Sequence, residues 1–303
     1  MSVEAVVLVS HGTVENLEDL AGFVTNVRRG RPAPPELIAE LRHRYEAIGG
    51  SPLNRINAEL AGKLASRLGV PAAAANRLWH PYVREVVGPL VEAGVRRVVL
   101  LPLAQHSVHV YADDGRRAVE GMGVELTTAP SWGERADLCE AFARRIVSTL
   151  GRSPEPASPT TLLLTAHSLP VSVVAAGDPY ERDFRAAASA VERAVRARVP
   201  TDLNVVVAFQ SQGMSPGPAA IEWLGPDLRT SLDAAAARGS GRVVIAPIGF
   251  LADHVEVLYD LDLEARDMAA ERGMAYARVP SLNADDDFVD VLAAVARPLL
   301  GHG

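Results

Sequence analysis

The chain has 303 residues, 48% of them hydrophobic, which is enough for two ordinary domains with sizeable cores. A formal net charge of −7 argues against a general nucleic-acid binder, and a single cysteine, Cys139, excludes a disulfide framework and a four-cysteine iron–sulfur cluster. No window approaches the roughly 18 apolar residues of a membrane span, and the start MSVEAVVLVSHG has no basic stretch before its short apolar run, so the expectation is a soluble, cytoplasmic protein without a transmembrane segment.

In chain order, Ala5–Ser10 is the first predicted strand and ends at His11-Gly12-Thr13. A helical stretch follows, then the basic loop Arg28-Arg29-Gly30-Arg31-Pro32. Pro34 and Pro35 open a helix over Glu36–Ile48, which stops at Gly49-Gly50, and a second runs from about Asn54 to Leu68. Asn76–His80 is expected as a strand, Val83–Ala93 as a helix and Arg96–Leu103 as a strand ending near His106. Helix Ala112–Gly121, strand Glu125–Ala129 and helix Glu134–Leu150 complete this half, with Cys139 on a core-facing helical pattern. Gly151–Pro159 (GRSPEPASP) is the clear linker.

The plan then restarts. Strand Thr160–Ala166 ends in His167-Ser168-Leu169-Pro170, and helix Pro179–Val199 follows. Strand Leu203–Phe209 ends in Gln210-Ser211-Gln212-Gly213, and Trp223-Leu224-Gly225-Pro226 precedes helix Asp227–Arg238. Arg242–Pro247 is a buried strand, with a helix expected from about Ala252. Strand Ala275–Val279 and helix Asp286–Leu300 close the chain. Alternating strands and helices predict parallel sheets with right-handed crossovers.

The halves resemble each other. Val6–Gly12 (VVLVSHG) parallels Leu162–Ser168 (LLLTAHS), and Arg96–Val110 parallels Gly241–Val257. The expected fold is α/β: two similar Rossmann-like, doubly wound parallel-sheet domains facing across a cleft. The first is expected over 1–150 and the second over 158–303, with the last helix free to pack back on the first. Ligands in such sheets bind beyond the carboxyl ends of the strands, where His11, His106, His167 and His254 are all expected.

Glu256, Asp260 and Glu264 recur every four residues, an acidic stripe drifting ~40° per step on an α-helix. Like charges so spaced weaken a helix, so a cation is expected against them; a solvated face, capped by Asp253 with Glu256, is the plainer alternative. There is no G-x-S-x-G, G-x-x-x-x-G-K or strand-borne G-x-G-x-x-G, which removes the serine-hydrolase and nucleotide-binding readings. Imidazoles and carboxylates without thiolates suit a labile divalent metal. The arginines Arg28 to Arg31 and Arg44 can clamp carboxylates, or simply face water.

In order along the chain come Arg28-Arg29-Gly30-Arg31-Pro32, RYEAIGGSPL at Arg44–Leu53, Ala166-His167-Ser168-Leu169-Pro170, Gly177-Asp178-Pro179-Tyr180, Phe209-Gln210-Ser211, Trp223-Leu224-Gly225-Pro226 and PIGFLADHVEVLYD at Pro247–Asp260. On these segments the chain resembles the ferrochelatases, most closely the monofunctional coproporphyrin III enzymes of Gram-positive type. The resemblance implies a lyase of haem biosynthesis that inserts Fe²⁺, as substrate metal and without an organic cofactor, into coproporphyrin III to give coproheme.

The resemblance also assigns roles. His167 and Glu256 are the catalytic pair, His167, Glu256, Asp260 and Glu264 handle the metal, and His11, Arg28, Arg44, Tyr45, Ser51 and Trp223 bind the ring. His11 stands where a tyrosine is common and is a possible axial ligand, while Gly133 stands where related enzymes can carry a tyrosine contact. The expected associations are the porphyrin and ferrous iron, no nucleic acid, a monomer, and transient contact with neighbouring haem-pathway enzymes. Three alternatives stand beside this reading: a protoporphyrin IX ferrochelatase, a cobalt or nickel chelatase for a sirohydrochlorin-type ring, and a non-catalytic haem or coproheme carrier.

Overall fold

Among the described residues the chain forms eight strands, and the segments between them supply the helices that cover the sheets. The structure, a computed structural model, describes residues 3–152, 159–199, 203–212 and 221–301. Its elements are β1 (Val3–Ser10), α1 (Leu20–Val27), α2 (Pro35–Ala47), α3 (Leu53–Leu68), β2 (Ala72–Asn76), α4 (Val83–Glu92), β3 (Val95–Pro102), α5 (Val108–Val119), β4 (Glu125–Thr128) and α6 (Ala136–Gly151). There follow β5 (Thr160–His167), α7 (Val171–Ala175), α8 (Tyr180–Arg196), β6 (Leu203–Gln210), α9 (Leu228–Ala237), β7 (Arg242–Ala246), α10 (Val255–Leu258), a π-helical turn (Asp260–Ala265), α11 (Arg266–Glu271), β8 (Ala275–Arg278) and α12 (Asp286–Ala296).

The strands form two four-stranded, all-parallel sheets of the same order, β2-β1-β3-β4 and β6-β5-β7-β8. The repeat seen in the sequence is therefore a repeat of topology: β1 and β5 are equivalent, as are β3 and β7. Central strands are buried on both faces, which is why β1 and β5 read as continuous apolar runs rather than alternating ones. In each sheet the strand order reverses at the first strand, so the switch points, where open α/β sheets bind ligands, lie at the carboxyl ends of β1/β3 and β5/β7.

The chain divides into two compact units. One comprises 1–132, 251–255 and 282–303; the other comprises 133–250 and 256–281. Helix α6 groups with the second unit, not with the first 150 residues. Its apolar face packs on α8, and the buried Arg242 at the start of β7 donates to the Leu150 and Thr149 carbonyls at its end, at 3.1 and 2.9 Å. Helix α12 groups with the first unit and packs on α3, where Lys63 Nζ donates to the Ala284 carbonyl at 2.7 Å and to Asp286 at 3.1 Å. Cys139 is buried in α6, and desolvation pushes its thiol up to about 11, so it serves as packing and not as a nucleophile. Among the described residues no helix is long and apolar enough to cross a membrane.

Several boundaries differ from the sequence reading. The strand expected over Asn76–His80 is Ala72–Asn76 instead: its alanines pair with Val6–Ser10, and Trp79-His80-Pro81 forms the turn beyond. Alanine carries little intrinsic strand preference, so the pairing partner decides here. The helix expected from Ala252 begins at Val255. Just ahead of it, the Asp253 main-chain N–H and carboxylate exchange hydrogen bonds with the Asn283 amide at 2.8 and 2.9 Å. Residues 153–158 of the linker, and Gly213, lie outside the described residues.

Candidate active site

In the second unit, β5 delivers His167 as its last residue, half-buried at the switch point. The residues around it fix its main chain. The Tyr180 hydroxyl donates to the His167 carbonyl at 2.8 Å, and the Ser168 N–H donates to the Gln210 carbonyl at 2.7 Å. The Ser168 hydroxyl, fully buried, donates to the Leu224 carbonyl at 2.9 Å, so Ser168 is a brace and not a nucleophile. Trp223, half-buried, pairs with Pro170 in an antiparallel bridge, which stitches the WLGP segment to the HSLP segment.

The His167 ring is oriented by Nδ1, which faces the Ser168 carbonyl in a short contact. A carbonyl only accepts, so the proton of the neutral ring resides on Nδ1 and Nε2 carries the lone pair. That lone pair faces the Glu256 carboxylate, Nε2 to Oε2 3.6 Å. The distance is beyond a hydrogen bond, and both atoms are acceptors. Such a pair is settled only by a proton or a cation placed with it.

Glu256 is carried by the segment after β7. The turn Pro247–Phe250 lies tightly on β5: the Gly249 N–H donates to the Thr165 carbonyl at 2.9 Å, and a Cβ on Gly249 would stand 2.4 Å from Ala166 Cβ. Only glycine permits that approach. Helix α10 then holds Glu256, and the chain widens into the π-helical turn, where the Glu264 N–H reaches back five residues to the Tyr259 carbonyl at 3.1 Å. Wide turns of this kind are concentrated at functional sites.

The acidic run is thus not one regular α-helical stripe. Asp260 is buried and accepts from the Ser211 hydroxyl at 2.5 Å, while Glu264 is half-buried. The group facing Glu256 is the His167 imidazole, and the guanidinium of Arg278 forks onto Asp262, at 2.5 and 3.0 Å. Among the described residues no three His, Cys, Asp or Glu side chains converge to hold a metal ion. His167, Glu256, Asp260 and Glu264 are arranged as a succession of groups rather than a closed cage.

The remaining predicted residues lie in the first unit. His11 follows β1, is exposed, and meets the Phe23 ring edge-on at 6.1 Å. Gly12 beneath it, at φ +97°, is pressed against Asn76, whose Cβ would lie 2.9 Å from an added Cβ. Tyr45 is buried and its phenol pairs with the Thr13 hydroxyl at 2.8 Å, so it holds the His11–Thr13 loop from behind. Arg28 caps the end of α1, and Arg44 pairs with Glu40 at 2.7 Å. Arg28 Nε and Ser51 Oγ are buried without a hydrogen-bond partner among the described residues. His106 is buried and His254 lies in the turn before α10, its Nδ1 on the Ala252 carbonyl at 3.0 Å, so these two histidines serve the fold.

A cavity of about 660 Å³ in the same unit is lined by Thr13, Asn54, Asn76, His80 and Glu85, and by none of the predicted site residues. Some of its polar walls are paired with one another: Asn76 donates to Asn54 at 3.0 Å, and His80 Nδ1 lies 2.8 Å from Glu85, while the buried Asn57 amide has no partner among the described residues.

Residues 3–299 match the family model for ferrochelatase. The chain belongs to the ferrochelatase family. Membership makes it a metal chelatase, of the lyase class, with iron as the metal of the family. It is 37% identical to the ferrochelatase of Acidobacterium capsulatum, across 97% of this chain and 93% of that one. It is 34% identical to the coproporphyrin III ferrochelatase of Anoxybacillus flavithermus, across 97% and 95%, and 32% identical to that of Bacillus subtilis, across 97% of both. Among solved structures it is similar to SirB from Bacillus subtilis with Fe³⁺ (TM-score 0.60, 14% identity, 99% of this chain and 96% of that one). It is also similar to DR2241 of Deinococcus radiodurans, described as resembling chelatases (TM-score 0.57, 17% identity, 98% and 55%). At those identities the likeness is one of fold, and it agrees with the two α/β sheets described above.

Within the candidate site, sequence reasoning assigned no role to Tyr180, Ser168, Gln210 and Ser211, which hydrogen-bond to the segments carrying His167, Glu256 and Asp260. Their segments carried the family resemblance. Their hydrogen bonds run to main-chain atoms or across strands, which no spacing along the chain encodes.

Proposed function

We propose that this protein inserts Fe²⁺ into coproporphyrin III, giving coproheme. The observation that carries the chemistry is the His167–Glu256 pair: two acceptors 3.6 Å apart, with the imidazole tautomer set by the Ser168 carbonyl. The overall reaction replaces two pyrrole protons by one Fe²⁺. His167 Nε2, the ring nitrogen left open by the contact of Nδ1 with the Ser168 carbonyl, accepts a pyrrole proton. Glu256 receives the arriving metal or passes on the second proton. Two ligands each about 2.1 Å from one ion and this far apart subtend roughly 120° at it, an ordinary angle for a divalent first-row metal.

A facing imidazole and carboxylate suit a metal in transit, which has to be released again, whereas a resident ion is held by three or more protein groups. Asp260 and Glu264, on the π-helical turn beyond Glu256, are the oxygen ligands from which hydrated iron moves forward. His11 remains an axial-ligand candidate, being an exposed imidazole directly after the first strand.

The choice of ring rests on charge. Coproporphyrin III carries four propionates, and Arg28 and Arg44 are guanidiniums suited to carboxylates in bidentate geometry. The unpartnered Arg28 Nε and Ser51 Oγ are donors that a propionate would satisfy on binding. The naming of several relatives as coproporphyrin III ferrochelatases supports the same ring.

Replacement of His167 by Ala tests the chemistry. Anaerobic Fe²⁺ insertion should fall by about 10²-fold or more, while the porphyrin dissociation constant changes less than about threefold. A variant that inserts iron at the wild-type rate would remove His167 from the mechanism.

A further inference from the structure

Gln210 and Ser211, at the carboxyl end of β6, both reach the acidic run. Gln210 ends β6 and is the register partner of His167 on β5. It is 2% exposed, and its side-chain Nε2 donates to the Glu256 carbonyl at 2.9 Å. Ser211, at φ +58°, donates to the carboxylate of Asp260, four residues further on. One strand end therefore grips two successive acidic positions.

Packing does not account for Gln210. Its Oε1 is buried with no partner among the described residues, a cost that a methionine of similar size would avoid. What the amide does supply is one N–H directed at one carbonyl. That carbonyl belongs to a four-residue helix, a single turn that does not sustain itself, followed by the π-helical turn.

We propose that Gln210 is a positioning residue, whose side-chain N–H fixes the Glu256 main chain and so sets the separation between the Glu256 carboxylate and His167. The proposal rests on the reading of Glu256 given above. Gln210 is tied to both members of the pair, to His167 through strand register and to Glu256 through the amide. A buried amide that is half-unpaired is then explained as the cost of holding the pair at its distance.

The test is a double-mutant cycle on the full chain with Gln210→Met and Glu256→Gln, read by anaerobic Fe²⁺ insertion and by thermal unfolding. Gln210→Met should leave the melting temperature within about 3 °C and lower kcat about tenfold or more, with the porphyrin KM within about twofold. The double variant should be no slower than Glu256→Gln alone, since a residue acting only through Glu256 has nothing left to position. If the methionine variant does not fold, Gln210→Leu replaces it, removing the donor with a smaller apolar side chain. A normal kcat in the Gln210 variant beside a disabled Glu256→Gln overturns the positioning role and leaves Glu256 standing. Multiplicative losses in the double variant, or a collapse in stability with kcat preserved, also overturn it. A fully active Glu256→Gln overturns the reading of Glu256 and the proposal with it.

Discussion

His167 Nε2 and Glu256 Oε2 stand 3.6 Å apart as two acceptors, because the other ring nitrogen of His167 is committed to the Ser168 carbonyl. A proton or a metal ion brought between them would serve both acceptors. Glu256→Gln keeps the size of the side chain but removes the charge. Iron insertion should drop by about 10²-fold while porphyrin binding, followed by quenching of tryptophan fluorescence, stays within about threefold. A loss confined to porphyrin binding would place Glu256 in ring recognition instead.

Gly249 and Ala166 define how closely the turn after β7 lies on β5. An alanine at 249 would bring its Cβ to 2.4 Å from Ala166 Cβ and 2.7 Å from Ala166 Cα, and main chain cannot rotate away as a flexible side chain would. Gly249→Ala should therefore cost about 1–3 kcal/mol in urea unfolding. It should also lower activity, since the residue displaced is the one before His167. Unchanged stability would mean the turn is free to lift from the strand.

The strands and most helices were legible because their apolar residues are β-branched or recur at helical spacing. Arg242–Ala246 and Thr160–His167 are examples. The alanines of β2 were not legible, since their strand character comes from β1. The π-helical turn was not legible either, because Glu256, Asp260 and Glu264 fit a regular helix equally well on paper. Nor could the chain show that Asp253 is occupied by Asn283, thirty residues away. Motifs singled out His167 and Glu256 as candidates; Gln210 needed the hydrogen bond itself.

Asp114 gives a prediction in pH. Burial alone would raise its carboxyl above the usual 3.8, but hydrogen bonds from Arg117 and Arg77 outweigh that and hold it lower. A carboxyl depressed in the folded state contributes stability above its unfolded pKa, and the contribution is lost as pH falls through the folded value. Between pH 5 and pH 2, Asp114→Asn should therefore lose less melting temperature than the wild type. Parallel curves would show that the pair contributes nothing to acid stability.

Arg44 is shared with Glu40, so its charge is partly spent before a ring arrives. Arg28→Met and Arg44→Met should each weaken coproporphyrin III binding about tenfold, about 1.4 kcal/mol, with a weaker dependence on salt than the wild type. Glu40→Gln should act in the opposite direction. If neither arginine variant changes affinity or salt dependence, the basic loop simply faces water.

The most direct test of the whole account is anaerobic Fe²⁺ insertion into coproporphyrin III and protoporphyrin IX side by side, followed by loss of free-base fluorescence. Faster turnover of the four-propionate ring, by about tenfold or more in kcat/KM, is the predicted result. Preference for protoporphyrin IX would contradict the substrate assignment while leaving the His167–Glu256 chemistry in place. No insertion into either ring would contradict the proposed activity altogether.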